Sequence, residues 1–152
     1  MKKTKIIRIV LFLLIVAWAV LVFYMSSQVG EESSGVSRKI AELFTKDENR
    51  LEIVEKCVRK FAHFSEYALG GVLFLLLFFT YEWSERRKLI TSILIGAWYA
   101  VTDEVHELMV DGRNGSIIDV YIDTLGVSTG VCITLLIIKI VLIIKNKTGK
   151  NK

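Results

Sequence analysis

Apolar residues in this chain form four long blocks separated by shorter polar stretches. The first block, residues 6–25, has Arg8 as its only charge and is long enough to cross a hydrocarbon core of about 30 Å. The other blocks, at about 64–81, 89–110 and 117–138, are similarly long, but each carries acidic residues or histidine at one end. The pattern predicts a bundle of four transmembrane helices.

The first block also resembles a cleaved signal peptide. Basic residues precede it, and Ala17-Trp18-Ala19 has the small-residue spacing of a cleavage site. The apolar run nevertheless continues from Val20 to Met25, which favours a retained helix.

Between the first two blocks, residues 33–60 are polar but carry apolar residues at helical spacing. Ser33 and Ser34 are candidate caps for the first stripe. The two stripes are Val36, Ile40, Leu43 and Phe44, then Leu51, Val54, Val58 and Phe61. They predict amphipathic helices on the membrane surface; a solvated helical hairpin packed on its own stripe fits the pattern equally well.

Composition agrees with a small membrane protein. The chain has 152 residues, of which 53% are hydrophobic, with two cysteines and no proline. These values exclude disordered, collagen-like and disulfide-scaffold chains and favour one all-α membrane domain. The basic residues are too scattered for nucleic-acid binding, whereas the pI of about 9.1 fits attraction to anionic lipid.

Basic residues also predict the orientation. They precede the first span, occupy positions 86–88 between the second and third spans, and recur in the tail at Lys145, Lys147, Lys150 and Lys152. Because basic loops stay inside, both termini should be cytoplasmic and the protein should lie in the cell membrane. The segment 33–60 and the polar ends of the last three spans then face the extracytoplasmic side.

Those polar ends hold the candidate site. They carry His63 and Glu66, then Asp103, Glu104, His106 and Glu107, then Asp119 and Asp123. Most of these side chains repeat at i, i+3 or i, i+4 spacing, and a charge facing lipid costs roughly 2.5–3.5 kcal/mol at mid-bilayer. We therefore expect them to converge inside the bundle, beside a turn at Asp111-Gly112 and Asn114-Gly115 that could point Arg113 at the carboxylates. Ser116 and Asp119 have capping-box spacing.

Several motifs carry a resemblance over nearly the whole chain. They are Phe23 to Gln28, Lys60-x-x-His63-x-x-Glu66-Tyr67 with Gly70, Thr102-Asp103-Glu104-x-His106-Glu107, Gly112-Arg113-x-Gly115, and Asp119 through Asp123-x-x-Gly126. In order and spacing the chain resembles the VanZ-like membrane family, which usually has Gln at the position of Glu107. The resemblance implies a role in the bacterial cell envelope and a contribution to teicoplanin resistance, but no reaction.

Three interpretations of the polar residues remain open. They form a structural network, or an outward-facing pocket for a lipid or cell-wall headgroup, or a metal-dependent hydrolase centre. The pattern favours binding over turnover, because established strings such as H-E-x-x-H are absent from the sequence. The candidate ligand-binding residues are Lys60, His63, Glu66, Tyr67, Asp103, Glu104, His106, Glu107, Arg113, Asp119 and Asp123.

The expected partner of such a pocket is a membrane lipid, either anionic or a lipid-linked cell-wall precursor. If the residues instead hold a metal, the candidate ligands are His63, Glu66, Asp103, His106 and one of Asp119 or Asp123, a set that suits Zn²⁺ or Mn²⁺. The pattern assigns no catalytic residue, cofactor or oligomeric state.

Overall fold

A computed structural model of the chain describes residues 2–28, 30–113 and 115–149. Asn114 of the predicted turn and Lys150 and Lys152 of the basic tail lie outside these ranges. The elements are α1 (Lys2–Ser26), α2 (Gly30–Ala41), α3 (Glu48–Phe79), α4 (Glu85–Glu107) and α5 (Ile117–Gly149). Within the described residues the protein is all-α, as predicted.

In the part of the chain that the structure describes, three helices are long and apolar enough to cross a membrane: α1, most of α3 and most of α5. They contain the first, second and fourth predicted spans. Helix α4 covers most of the third predicted span but ends at Glu107, before residue 110. At 23 residues it is about 34 Å long, but it is not among these three apolar helices. That α4 also crosses the membrane stays a prediction.

The helix that contains the second predicted span begins earlier than expected. It starts at Glu48, so the second amphipathic stripe of the segment 33–60 is the first part of α3. Neither glycine nor proline interrupts residues 48–69, so one helix can continue from the stripe into the span. Helix α2 begins at Gly30, so the candidate caps Ser33 and Ser34 lie inside the helix.

Contacts at both ends of the bundle establish the helix directions. At one end Arg8 of α1 donates a 3.0 Å hydrogen bond to the Thr80 hydroxyl, and Lys139 of α5 lies 3.0 Å from Glu85 of α4. At the other end the Phe23 ring lies 4.2 Å from that of His106. Helices α1 and α4 therefore run antiparallel to α3 and α5, and we call the second end the polar end.

Trp18 anchors α1 to α3 in the centre of the protein. Its indole packs edge-on against Tyr67 and Phe74, with ring centroids 5.8 and 5.5 Å apart. Its Nε1–H donates a 2.8 Å hydrogen bond to the backbone oxygen of Glu66. A buried indole needs such an acceptor, and this one holds α1 beside the residues of the site.

Helices α3 and α5 approach each other closely along a row of glycines. A Cβ atom on Gly126 would collide with the carbonyl oxygen of Phe64, and one on Gly130 would collide with that of Ala68. Small residues permit this kind of close backbone approach between apolar helices. The consequence is that His63 of α3 faces Asp123 of α5 at the polar end.

Candidate functional site

Helices α3, α4 and α5 bring their ionisable side chains together at the polar end. Asp103 and Asp123 are 3% and 0% exposed, and Glu104 and Glu107 are also buried. Buried carboxylates are stable only when hydrogen bonds or opposite charges compensate for lost hydration. The partners of each carboxylate therefore indicate what the site can do.

At the centre lies a group of three side chains, one from each helix: His63, Asp103 and Asp123. Their candidate ligand atoms all lie within 4.8 Å of one another. Nδ1 of His63 is 3.9 Å from Oδ1 of Asp123, which is too long for a hydrogen bond. We call these three residues the central triad.

The central triad is only partly satisfied by the protein. Tyr67 donates a 3.0 Å hydrogen bond to Oδ2 of Asp103. Among the described residues, no hydrogen-bond partner reaches Nδ1 of His63, Oδ1 of Asp103 or either carboxylate oxygen of Asp123. Buried polar atoms of all three side chains therefore lie close together without a hydrogen-bond donor from the described residues.

Two ion pairs surround the central triad. Lys60 pairs with Asp119, joining α3 to α5, and Arg113 pairs with Glu107, joining the turn before α5 to the end of α4. Gly112 precedes Arg113 with a φ of 75°, a left-handed conformation that favours glycine. Both cations among the candidate ligand-binding residues, Lys60 and Arg113, therefore already contact carboxylates.

Glu104 has a different role from its neighbours, because it caps the next helix. Its Oε2 accepts a 2.6 Å hydrogen bond from the backbone N–H of Ser116, just before α5 begins. The Ser116 hydroxyl in turn accepts from the N–H of Ile118 at 3.2 Å. The predicted partner in a capping box, Asp119, pairs with Lys60 instead.

Glu66 and His106 do not join the central triad. Glu66 lines a cavity between α1, α2 and α3, while the His106 ring packs against Phe23. Of the metal ligands predicted from sequence, the structure groups His63 and Asp103 with Asp123, and it does not place Glu66, His106 or Asp119 in the same group within the described residues.

Two small cavities adjoin the central triad. A polar cavity of about 120 Å³ is lined by Arg59, Lys60, His63, Glu107, Gly112, Arg113 and Asp119. An amphipathic cavity of about 130 Å³ combines apolar residues such as Met25, Val36, Ile40 and Val58 with the polar residues Ser26, Gln28, Ser37, Arg59, His63, Glu66 and Arg113. Arg59, His63 and Arg113 line both.

Arg59 was missed by the sequence interpretation, which placed it in the surface segment. Its spacing held a usable signal: residues 59, 63 and 66 repeat at i, i+4 and i+7, so they share one face of a helix. Recognising that α3 continues through residue 60 would have added Arg59 to the site.

The motifs that form the polar end lie within the part of the chain that matches a known family. The model of the VanZ/LLP1 family matches residues 11–139. The chain belongs to the VanZ/LLP1 family. This confirms the resemblance seen in the motifs, and the match includes the central triad, both ion pairs and all residues lining the two cavities. Neither the curated proteins nor the solved structures contain a significant match to this VanZ/LLP1 chain.

Proposed function

We propose that this VanZ-family membrane protein binds the anionic headgroup of a membrane-anchored envelope molecule at its polar end, and that it does so without turnover. The observation that carries the proposal is the shared wall of the two cavities. Arg59, His63 and Arg113 border both a polar space and a largely apolar one. A molecule with a phosphate next to a hydrocarbon chain would match this arrangement, with its phosphate in the polar cavity and its hydrocarbon in the apolar one.

The polar cavity suits the phosphate part of such a molecule. Arg59, Lys60 and Arg113 contribute guanidinium and ammonium groups, and guanidinium can form two parallel hydrogen bonds to a phosphate. Glu107 and Asp119 already hold two of these cations in place, which reduces the side-chain entropy lost on binding. The carboxylates also offer acceptors for sugar hydroxyl or ammonium groups.

The amphipathic cavity suits the adjoining hydrocarbon. Met25, Val36, Ile40 and Val58 form its apolar wall between α1, α2 and α3. The neighbouring apolar surface includes Phe44 and Leu43, which are 74% and 83% exposed. Both follow the end of α2, and Val36 on the helix itself is 63% exposed. These exposed apolar residues support the interpretation that α2 and the turn after it lie at the membrane surface.

In this proposal α1, α3, α4 and α5 all cross the cell membrane, with both termini in the cytoplasm. His63 lies roughly 24 Å along α3 from Phe79, at 1.5 Å per residue. A site at that distance from the cytoplasmic end lies just inside a hydrocarbon core of about 30 Å, near the outer leaflet. An anionic lipid or a lipid-linked cell-wall precursor in that leaflet could reach the cavities.

Binding of this kind would connect the chain to glycopeptide resistance. A protein that holds the headgroup of a lipid-linked cell-wall precursor would mask or reposition the target of teicoplanin. This step requires recognition and no reaction, in agreement with a site made mainly of ion pairs and buried acceptors.

The test is identification of lipid retained by the full-length protein. Native mass spectrometry of protein purified in mild detergent should show a bound anionic lipid. Arg59→Gln should reduce retention roughly ten- to hundredfold, because a hydrogen bond to a charged group contributes about 1.5–3 kcal/mol. The matched control is Arg86→Gln, which removes an exposed arginine at the opposite end of the bundle. Equal retention by the two variants, or no anionic lipid on the wild type, would contradict the proposal.

A further inference from the structure

We propose that His63, Asp103 and Asp123 form a binding site for one divalent transition-metal ion, with Zn²⁺ and Mn²⁺ as the appropriate probes. Each ligand comes from a different helix, so the ion would join α3, α4 and α5 at the polar end. The proposal does not depend on headgroup binding, because it rests on the central triad and not on the arginines.

The distances are close to those around a common ion. Two ligand atoms that each lie about 2.1 Å from the same tetrahedral ion are about 3.4 Å apart. Nδ1 of His63 and Oδ1 of Asp123 are 3.9 Å apart, and all three ligand atoms lie within 4.8 Å of one another. Closing around an ion therefore needs each side chain to move by less than about 1 Å.

The burial of the carboxylate oxygens also supports a bound ion. Asp123 is 0% exposed, and both of its oxygens lack a hydrogen-bond partner among the described residues. Asp103 is 3% exposed and has one such oxygen. Buried acceptors without donors are costly, and native proteins rarely retain them without an ion or water.

Charge balance also favours a divalent cation. The nearby Lys60 and Arg113 are paired with Asp119 and Glu107. Two ionised carboxylates with a neutral imidazole give the triad two negative charges, which a single divalent ion neutralises. The buried carboxylate of Glu104 adds further negative charge nearby. Imidazole together with carboxylate ligands is typical of first-row transition metals, whereas magnesium and calcium favour sites made of oxygen ligands alone.

The surroundings resemble those of known metal ligands in one further respect. Tyr67 donates a hydrogen bond to Oδ2 of Asp103, and this bond fixes the orientation of the carboxylate. Three protein ligands leave at least one coordination position for an exchangeable group. Because His63 also lines both cavities, such a group would enter beside its ring.

The first test uses the wild-type chain alone. Elemental analysis of detergent-purified protein should find close to one Zn²⁺ or Mn²⁺ per chain after loading and removal of excess ion. Chelator treatment should lower the unfolding temperature, and either ion should restore it. A wild-type protein that retains neither ion, and whose unfolding temperature neither ion changes, would overturn the proposal.

Variants then assign the site. Asp123→Asn should weaken Zn²⁺ or Mn²⁺ binding at least tenfold, since even indirect partners of metal ligands contribute about ten- to hundredfold. The matched control is Asp111→Asn, which neutralises an exposed carboxylate at the same end and should leave affinity unchanged. If the triad is only a structural cluster, Asp123→Asn should instead raise the unfolding temperature, because it removes a buried charge. Added metal should then have no effect on the unfolding temperature. That result would also overturn the proposal.

The two proposals fail separately. Arg59→Gln should lose the retained lipid while keeping the metal, because Arg59 lies outside the central triad. Loss of metal from Arg59→Gln at unchanged unfolding temperature would contradict the assignment of the ion to the triad.

Discussion

The hydroxyl of Tyr67 and the carboxylate of Asp103 are joined by a 3.0 Å hydrogen bond that links α3 to α4 inside the bundle. Neither residue is open to water: Tyr67 is 0% exposed and Asp103 is 3% exposed. Because the other oxygen of Asp103 has no hydrogen-bond donor among the described residues, this bond is the main compensation that the protein gives to the carboxylate.

Tyr67→Phe should therefore lower the free energy of unfolding by about 1–3 kcal/mol, the usual cost of leaving a buried acceptor unpaired. The measurement is thermal or denaturant unfolding in detergent. Tyr121→Phe is the matched control, since it removes the same atom from a side chain in a residue that is 67% exposed. It should change stability by less than about 0.5 kcal/mol. Similar losses in both variants would show that the Tyr67 bond has no special role.

The ion pair of Arg113 and Glu107 should be more important for folding, because both side chains are almost fully buried, at 6% and 8% exposed. Arg113→Met leaves the Glu107 charge without this partner and should cost about 3–5 kcal/mol of stability. Adding Glu107→Gln should recover part of that loss by removing the stranded charge. A double variant that is less stable than Arg113→Met would contradict this account.

An exposed pair provides the comparison for that experiment. Lys56 and Glu52 lie 2.7 Å apart with side chains 59% and 73% exposed. Water and salt screen such a pair, so Lys56→Met should leave the unfolding temperature unchanged.

The close crossing of α3 and α5 predicts opposite effects for two glycine substitutions. Gly130→Ala would place a methyl group against the backbone oxygen of Ala68, and separating the helices should cost about 1–3 kcal/mol. Gly35→Ala in α2 meets nothing within 4 Å and should stabilise that helix by up to about 1 kcal/mol. Unfolding temperatures of the two variants should therefore move in opposite directions. A neutral Gly130→Ala would mean that the helices do not approach at this glycine.

Much of this architecture follows from the distribution of apolar residues. The first and last blocks predict α1 and the beginning of α5, because long runs without charge have few alternatives to a membrane helix. The start of α3 was harder to predict, because the stripe at Leu51, Val54 and Val58 suits either a separate surface helix or an extension of the span.

The site was predictable as a set of residues but not as a set of partners. Helical spacing shows that Asp103 and Glu107 share a face, yet the rotation and depth of each helix decide which cation each carboxylate meets. Asp119 could have capped its own helix, but the approach of α3 gives it Lys60, and Glu104 takes the vacant capping role. The pairing of each carboxylate depends on packing between segments that are distant in the sequence. The local periodicity of apolar residues does not predict this packing.

The two native cysteines test the proposed position of the chain in the membrane. Both thiols are free and exposed. In the proposed topology Cys57 lies in the part of α3 outside the hydrocarbon core, whereas Cys132 lies roughly 13 Å further along α5 than Asp123, among lipid chains. A membrane-impermeant maleimide applied to intact cells should therefore label the wild type once, and Cys57→Ser should abolish the labelling.

A third cysteine position completes the test from the other side. Glu82→Cys, introduced together with Cys57→Ser, places a thiol at an exposed position in the connection between α3 and α4. With basic residues 86–88 holding that connection in the cytoplasm, this thiol should react only after the membrane is opened. Labelling of Cys57 and of the cysteine at position 82 from the same side would mean that α3 does not cross the membrane. Labelling of position 82 alone in intact cells would mean that the orientation is the reverse of the proposed one, with the central triad on the cytoplasmic side.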